Sequence, residues 1–402
     1  MRKLTANWLF TMTDGDAPIK NGVVVVDNTG KIIDITNREA HDAASLEVFS
    51  GALTPGFINT HCHLELSHMK GKVDTGTGLI AFITNVVQRR GAPPEEIAEA
   101  IATAEREMLD GGIVAVGDIC NTTDTFAQKA TGKMRYYNFV ECFDFLQDGS
   151  AAAEFAKYKA VYDEVPLPNG SQKTLVPHAP YSVSATLFKL INAANASNTS
   201  KTVSLHNQET PPELELFASK TGGFVDFYAN FGISLSNFEA TQTNPLLYAL
   251  HNMDAAHRTL LVHNTLTTNF DIAAAQTWGR HKSTFWATCA NANLYIENRL
   301  PNYDIFIKNN ASLTIGTDSL TSNWQLSVLA ELQAIAQYQS FVPFETMLKW
   351  ATINGARALG FDHELGSIAV NKQPGINLLS NYTQQAGDRI AINNQTKVKK
   401  IV

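Results

Sequence analysis

The sequence has few cysteines, no basic excess and no long apolar run. Its four cysteines, Cys62, Cys120, Cys142 and Cys289, show no CxxC spacing, which indicates free thiols in a reducing compartment rather than a disulfide framework. With 31 Lys and Arg against 38 Asp and Glu, the net charge is -7, which argues against a nucleic-acid surface. No stretch approaches the roughly 20 apolar residues of a membrane span, and the N-terminus lacks the apolar region of a signal peptide. We therefore expect a cytoplasmic protein with no nucleic-acid or membrane partner.

Apolar runs alternate with helical stretches through most of the chain. Apolar residues make up 44% of the 402 positions, enough for one large domain and a smaller one. Helices are predicted at 94–110, 184–196, 325–339 and 343–359. Eight strands are predicted, at 53–61, 114–119, 135–143, 174–178, 202–206, 259–263, 283–289 and 312–317.

This alternation predicts an α/β fold, a (β/α)8 TIM barrel over residues 53–360. A doubly wound open sheet is the alternative, but a barrel brings all eight strand ends to one rim. Residues 1–52 are β-like, with strands at 6–12 and 22–26 and a turn at Asn28-Thr29-Gly30. Short β signals return at 368–370, 376–379, 389–392 and 398–402. We expect 1–52 plus 361–402 to form a small composite β-sandwich domain.

The stretch PGFINTHCHLELSH, at 55–68, ends a predicted strand in His61 and His63. Residues i and i+2 of a strand point to one face, so both imidazoles can share a metal ion. The pair alone equally fits two half-buried histidines that only form hydrogen bonds. Four later strands also end in residues suited to metal or proton chemistry, namely His178, His206 with Glu209, His263 and Asp318. Their recurrence at one rim favours a metal site over core histidines.

The available donors suit one catalytic metal ion. Catalytic zinc sites use about three protein ligands and leave a position for water, whose pKa falls towards about 7. Proton transfer needs a base and an acid, roles open to Asp318, which is also a ligand, and to Glu209, with His263 holding the water. Lys173 begins the fourth predicted strand rather than ending it, which favours one metal ion over two. The predicted ligands are His61, His63, His206 and Asp318.

The sequence resembles the amidohydrolase superfamily over nearly its full length. It is similar to the branch that holds cytosine, guanine, S-adenosylhomocysteine and aminodeoxyfutalosine deaminases and chlorotriazine hydrolases. The matching motifs are PGFINTHCH at 55–63, PHAPYSVS at 177–184, HNQE at 206–209, VHNT at 262–265, GTDSLTSN at 316–323 and ATINGARALG at 351–360. The resemblance implies that the four predicted ligands bind one divalent ion, with zinc first and iron second. It also implies that Glu209 shuttles protons and that His263 assists the water and the leaving group.

The resemblance bears on the substrate as well. PHAPYSVS and HCHLELS are similar to the motifs of nucleoside deaminases, which implies that His178 reaches the substrate. Glu65, Asn207 and Ser319 are polar residues around the same rim, and we expect them to contact the substrate as well. A ribose has hydroxyl groups that such a polar set can bind, whereas a bare base leaves buried polar groups unpaired. Two segments depart from the pattern of relatives and leave the substrate open: 289–293 reads Cys-Ala-Asn-Ala-Asn for Cys-Pro-x-Ser-Asn, and 70–71 reads Lys-Gly for Arg-Gly.

The expected function is hydrolytic deamination of an aminopurine nucleoside, with metal-bound hydroxide attacking the amino-bearing carbon and ammonia leaving. Such an enzyme hydrolyses carbon–nitrogen bonds in cyclic amidines. Aminodeoxyfutalosine is the first candidate, followed by S-adenosylhomocysteine, methylthioadenosine and adenosine. A guanine or cytosine deaminase, a chlorotriazine-type hydrolase and a non-catalytic scaffold are the alternatives, and the intact ligand set disfavours the scaffold. The partner is a small molecule, and a homodimer is left open.

Overall fold

A computed structural model describes residues 1–197, 201–279, 283–386 and 389–402. In those residues the strands, β1 to β19 in order, are Arg2–Thr5, Trp8–Leu9, Ile19–Lys20, Gly22–Val26, Ile32–Asn37, Glu47–Val48, Ala52–Pro55, Phe57–Cys62, Ile113–Cys120, Arg135–Cys142, Gln172–Pro177, Thr202–Asn207, Arg258–His263, Thr284–Thr288, Ser312–Ile315, Ile376–Ser380, Thr383–Gln384, Ile390–Ala391 and Lys397–Lys400. The helices, α1 to α14 in order, are Leu79–Arg89, Pro94–Asp110, Phe126–Lys129, Ala151–Glu164, Ala185–Asn195, Pro211–Ser219, Gly223–Asn230, Pro245–Asn252, Asn269–Trp278, Ala290–Glu297, Tyr303–Lys308, Val328–Tyr338, Phe344–Lys349 and Gly355–Ala358. None of these helices is both long enough and apolar enough to cross a membrane.

Eight strands form two parallel sheets of four, ordered β11-β10-β9-β8 and β12-β13-β14-β15. Each corresponds to one of the eight predicted strands. The two sheets contact each other at two junctions, one between the ends of β8 and β15 and one between the ends of β11 and β12. Cys62 forms a parallel bridge with Asp318 at one end, and the His206 N–H donates to the His178 carbonyl at 2.9 Å at the other. The predicted mixed α/β fold with parallel strands is confirmed.

The first predicted strand, 53–61, is divided between two sheets. β7 pairs antiparallel with β16 and parallel with β2, whereas β8 pairs with β9. Gly56 separates them, and a Cβ atom at this position would lie 2.7 Å from the carbonyl oxygen of Pro374. The apolar run continues across the break because both halves are buried. Alternation of apolar and polar residues therefore could not reveal the boundary.

Strands from the two chain ends share one sheet, ordered β19-β16-β7-β2-β3. A second sheet, β5-β4-β1-β6, contains the antiparallel pair β4 and β5 that the Asn28-Thr29-Gly30 turn predicted. Two expectations fail here. Residues 368–370 form no strand, because Ile368 makes a single backbone hydrogen bond, to Thr11. Of the predicted strand at 6–12, only Trp8–Leu9 pairs in a sheet. The division into domains stays a prediction.

The predicted helices have the expected end signals. α2 begins at Pro94, carries two glutamates in its first turn and buries Ile101, Ala104 and Met108 on one side. α5 begins after Ser184, whose hydroxyl accepts the Leu187 N–H. The predicted helix at 343–359 is interrupted by a π-helical turn, Trp350–Asn354, between α13 and α14. These helices pack between and beside the strands that carry the site.

Candidate active site

The structure brings the predicted metal and catalytic residues together at the carboxyl ends of the parallel strands. His61 lies in β8, His206 in β12, and His263 is the last residue of β13. Asp318 follows β15 by three residues. Parallel strands present their carboxyl ends at one edge, which places these side chains in contact although the chain separates them widely.

Two of these residues have left-handed backbone conformations. The φ angles are 73° at His263 and 58° at Asp318, a region that costs roughly 1 to 2 kcal/mol for a residue with a Cβ. The surroundings enforce both: the Asp318 N–H donates to the His61 carbonyl at 3.0 Å, and the Asn264 amide after His263 donates to Leu261 and Ala287 carbonyls. Such strain persists where structure over-determines it, typically at functional sites.

The four predicted ligands form one cluster of donor atoms. His63 Nε2 lies 3.2 Å from His61 Nε2, 3.3 Å from His206 Nε2 and 3.4 Å from Asp318 Oδ1. His61 Nε2 lies 3.6 Å from the same Asp318 oxygen. Donor atoms of a tetrahedral site with bonds of about 2.0 to 2.1 Å lie about 3.3 to 3.4 Å apart. The residues present therefore fit a divalent ion.

The protonation states also suit a cation. Burial lowers the pKa values of His61 and His63 to about 4, so both imidazoles are neutral at pH 7. Burial would raise the pKa of Asp318, but the hydrogen bond from His61 and the nearby histidines outweigh it and hold that pKa well below its usual range. Neutral imidazoles with an ionised carboxylate are a donor set typical of zinc.

Glu141 fixes the orientation of His206. Its Oε1 lies 3.3 Å from His206 Nδ1, which is also 2.9 Å from the His178 carbonyl oxygen. Burial lowers the pKa of His206, yet the Glu141 hydrogen bond and charge outweigh it and raise the pKa to about 9. At neutral pH the metal-free imidazole is therefore protonated on both nitrogens, and a metal ion would have to displace the proton on Nε2 while Nδ1–H stays on Glu141. Glu141 was not among the predicted site residues.

We expect Glu141→Gln to weaken metal binding by about 10- to 100-fold, as loss of a carboxylate behind a histidine ligand typically does. The measurement is a competition titration of the metal-loaded protein against a chelator. Glu95→Gln makes the same chemical change at an exposed position in α2 and should leave affinity unchanged. If both variants bind the metal as tightly as the wild type, Glu141 does not support metal binding through His206.

Glu209 lies beside the cluster, with Oε2 3.6 Å from His263 Nε2. Burial raises the pKa of Glu209 well above its usual value, a shift that favours the protonated form of its carboxyl group. His263 Nδ1 lies 2.8 Å from Asn293 Oδ1, so a proton on Nδ1 leaves Nε2 directed at Glu209. A protonated carboxyl next to a neutral imidazole can exchange protons with a bound molecule.

A cavity of about 210 Å³ opens onto this cluster. Glu65, His178 and Ser319, three of the four residues predicted to contact the substrate, line it; that contact stays a prediction. Oε2 of Glu65 accepts from the backbone N–H groups of Asn121 and Thr122, at 3.0 and 3.1 Å, and its Oε1 lies 3.8 Å from the Arg90 guanidinium.

Asn207 lies apart from that lining. Its side chain is buried and donates to Asn264 Oδ1 at 3.0 Å. The structure therefore gives its predicted substrate contact no support. Lys173 is also remote, since its ammonium donates to the Tyr162 carbonyl at 2.7 Å.

A buried ion pair supports the turn that follows His63. Asp118 Oδ2 lies 2.6 Å from Lys129 Nζ, and Asp118 Oδ1 accepts the Leu64 N–H at 2.9 Å. Both charged residues are almost fully buried. Sequence reasoning missed this pair, and also Glu141 and Asn293. For Asp118 and Glu141 the available signal was a carboxylate near the end of an apolar strand; Lys129 and Asn293 lie in helices and had no such signal.

The fold thus carries a cluster of histidines and carboxylates at the ends of its parallel strands. The chain belongs to the amidohydrolase family, whose model matches residues 52–402. An adenosine deaminase of Helicobacter pylori is 28% identical over 330 residues, covering 81% of this chain and 78% of the relative. A 5-methylthioadenosine/S-adenosylhomocysteine deaminase of Thermodesulfovibrio yellowstonii is 27% identical, covering 93% and 84%.

Solved structures agree on the fold. The crystal structure of Helicobacter pylori aminofutalosine deaminase, in complex with methylthio-coformycin, superposes with a TM-score of 0.78 at 22% identity and covers 100% of each chain. The family and these relatives make the chain a hydrolase that acts on carbon–nitrogen bonds. The predicted superfamily resemblance is confirmed.

Proposed function

We propose that the protein is a metal-dependent hydrolytic deaminase of an adenine nucleoside. The observation that carries the proposal is the cluster of three imidazoles and one carboxylate, with buried Glu209 beside it, in the lining of a cavity. Relatives named as deaminases of adenosine and of adenosine derivatives support the same activity. In the reaction, water adds to the amino-bearing carbon of the base and ammonia leaves.

His61, His63, His206 and Asp318 would hold the metal ion, zinc first and iron second. When bound, a divalent ion lowers the pKa of water towards about 7 and so supplies a nucleophile at neutral pH. Glu141 orients His206 through Nδ1, and Ser322 donates to Asp318 Oδ2 at 2.6 Å. These contacts hold the donor atoms in place before any ligand arrives.

Glu209 and His263 are proposed to move the protons. The Glu209 carboxyl group gives its proton to the ring nitrogen next to the amino-bearing carbon, which makes that carbon more electrophilic. As a carboxylate it then accepts a proton from the water and passes it to the leaving amine. His263, held by Asn293 through Nδ1, presents Nε2 to the water and the amine.

Glu65, His178 and Ser319 are proposed to bind the substrate. Oε1 of Glu65, which lies 3.8 Å from Arg90, is suited to accept from ribose hydroxyl groups. His178 is held by Ser182 at 2.6 Å through Nδ1, which leaves Nε2 for the substrate. We further propose that the eight parallel strands close into one (β/α)8 barrel, which the two junctions between the sheets support. The composite β domain of 1–52 plus 361–402 is part of the same proposal.

A screen of ammonia release tests the function. Aminodeoxyfutalosine, S-adenosylhomocysteine, methylthioadenosine and adenosine are compared with guanine, cytosine and a chlorotriazine. Asp318→Asn, purified in parallel, reports any contaminating deaminase. We expect turnover of the nucleosides by the wild type alone. If the nucleosides are inert while a free base or the triazine is turned over rapidly, the protein is not a nucleoside deaminase. That result would not contradict the proposed metal site.

A further inference from the structure

One side of the active-site cavity is an apolar wall. We define it by Phe82, Ile83 and Val86 of α1 together with Phe143 and Phe145, which follow β10; all five line the cavity. The histidines and carboxylates described above line the same cavity, and the Phe143 ring lies 5.7 Å from that of His178. The wall therefore adjoins the polar residues of the proposed chemistry but takes no part in it.

The apolar side of α1 is not fully covered by protein. Ile83 and Val86 are only partly buried, and the neighbouring Val87 is 55% exposed. An amphipathic helix normally buries its apolar stripe in the core. Here that stripe faces a cavity, and an apolar surface left open beside polar residues typically marks a binding groove.

Phe145 is held over the cavity by a strained backbone. Phe145 and Leu146 have φ angles of 56° and 61°, a conformation that residues with a Cβ rarely adopt. The Phe145 N–H donates to the Ser182 carbonyl at 2.9 Å, and the Asp144 carboxylate accepts from the backbone and hydroxyl of Ser184. The Phe145 ring lies 5.2 Å from that of Phe143 and remains 37% exposed. The fold maintains strain to present an aromatic ring to the cavity.

The charges near the wall belong to the Glu65 end. Among the described residues that line the cavity, Arg90 is the one lysine or arginine. Its guanidinium lies 3.8 Å from Glu65 Oε1. A ligand carboxylate would have to compete with Glu65 for this cation. An ammonium group against the aliphatic side chains of Ile83 and Val86 would lose part of its hydration and meet no hydrogen-bond acceptor on them, which is costly.

We infer that the apolar wall binds the substituent on the 5′ carbon of the nucleoside and selects an apolar one, with Phe145 as a specificity-determining residue. This inference rests on the proposed function, because the base must reach Glu209 and the ribose Glu65, which leaves the wall for the 5′ group. The preferred class is an adenine nucleoside with an alkylthio, deoxy or aryl group at that carbon. An α-amino acid there, as in S-adenosylhomocysteine, is disfavoured.

The test compares kcat/KM of the metal-loaded enzyme for 5′-methylthioadenosine, adenosine and S-adenosylhomocysteine. We expect methylthioadenosine to exceed each of the others by about tenfold or more, the order of discrimination that a small group gives in an apolar pocket. Phe145→Ala should reduce the preference for methylthioadenosine over adenosine by about tenfold, and Phe145→Leu, which keeps an apolar side chain, by less than about threefold. Phe270→Ala, at a 64% exposed position in α9, should not change the preference.

The possible outcomes distinguish a failure of this inference from a failure of the proposed function. Turnover of adenosine with no preference for methylthioadenosine, or with S-adenosylhomocysteine preferred, would overturn the inference and leave nucleoside deamination intact. If Phe145→Ala keeps the wild-type preference for methylthioadenosine over adenosine, Phe145 does not determine this specificity. No turnover of any adenine nucleoside would overturn the proposed function, and the inference would fall with it.

Discussion

Glu209→Gln is expected to lower kcat by about 10² to 10⁴-fold, the usual contribution of a positioned general acid or base. The substitution keeps the size of the side chain and its burial but removes the exchangeable proton. Glu209 is not one of the four predicted ligands, so metal content should stay at the wild-type level. Steady-state ammonia release and elemental analysis of the same preparation provide the two measurements.

Glu215→Gln is the matched control for Glu209→Gln. Glu215 lies in α6, shortly after Glu209, and is exposed to solvent, so the same change of charge there should leave kcat unaltered. Near-normal turnover in Glu209→Gln would assign proton transfer to another group, with His263 as the first alternative. A loss of metal in Glu209→Gln would instead place this carboxylate among the ligands.

The strands and the ligand cluster could be predicted because their signals are local. An apolar run followed at once by a histidine or aspartate identifies both a strand and the direction of its carboxyl end. Closure of the parallel strands into the predicted barrel then brings His61, His206 and Asp318 to one rim, whatever their separation in sequence. No distance needed to be known for that conclusion.

The residues that hold the ligands could not be predicted, because their partners are distant in sequence and have no spacing rule. Asp118 accepts from Leu64 across 54 positions, and Asn293 meets His263 across 30. Tertiary packing alone brings these groups together. The variant segment at 289–293 illustrates the difference: its departures from relatives were visible in the sequence, but the contact made by Asn293 was not.

The backbone around the cavity was also beyond sequence reasoning. Phe145 and Leu146 adopt left-handed conformations without glycine or asparagine, so no turn signal marks them. Gly56 was visible, but its role between β7 and β8 depends on the approach of Pro374 from the far end of the chain. In both cases the decisive constraint is supplied by a neighbour that local pattern does not identify.

Removal of a single ligand should abolish stoichiometric metal binding. Apparent binding free energies of four-ligand zinc sites are about 10 to 16 kcal/mol, so one ligand represents about 3 to 4 kcal/mol, or about 10² to 10³-fold in affinity. His61→Ala and Asp318→Asn are therefore expected to reduce the metal from one ion per chain to a small fraction after dialysis, and kcat with it. Chelation of the wild type should do the same reversibly, with activity returning when the metal is restored.

His363→Ala is the control for that loss, because His363 has a 68% exposed side chain away from the cluster and should retain one ion and full activity. Circular dichroism separates loss of metal from loss of fold, since β8 and β15 keep their backbone pairing when the side chains change. The decisive comparison is metal content against activity across both ligand variants. If the metal-free wild type deaminates at the full rate, or if His61→Ala still binds one ion with unchanged affinity, the four residues are not the metal site. If two ions bind per chain, Glu141 and His178 are the first residues to test as ligands of the second ion, because their donor atoms lie close to those of His206.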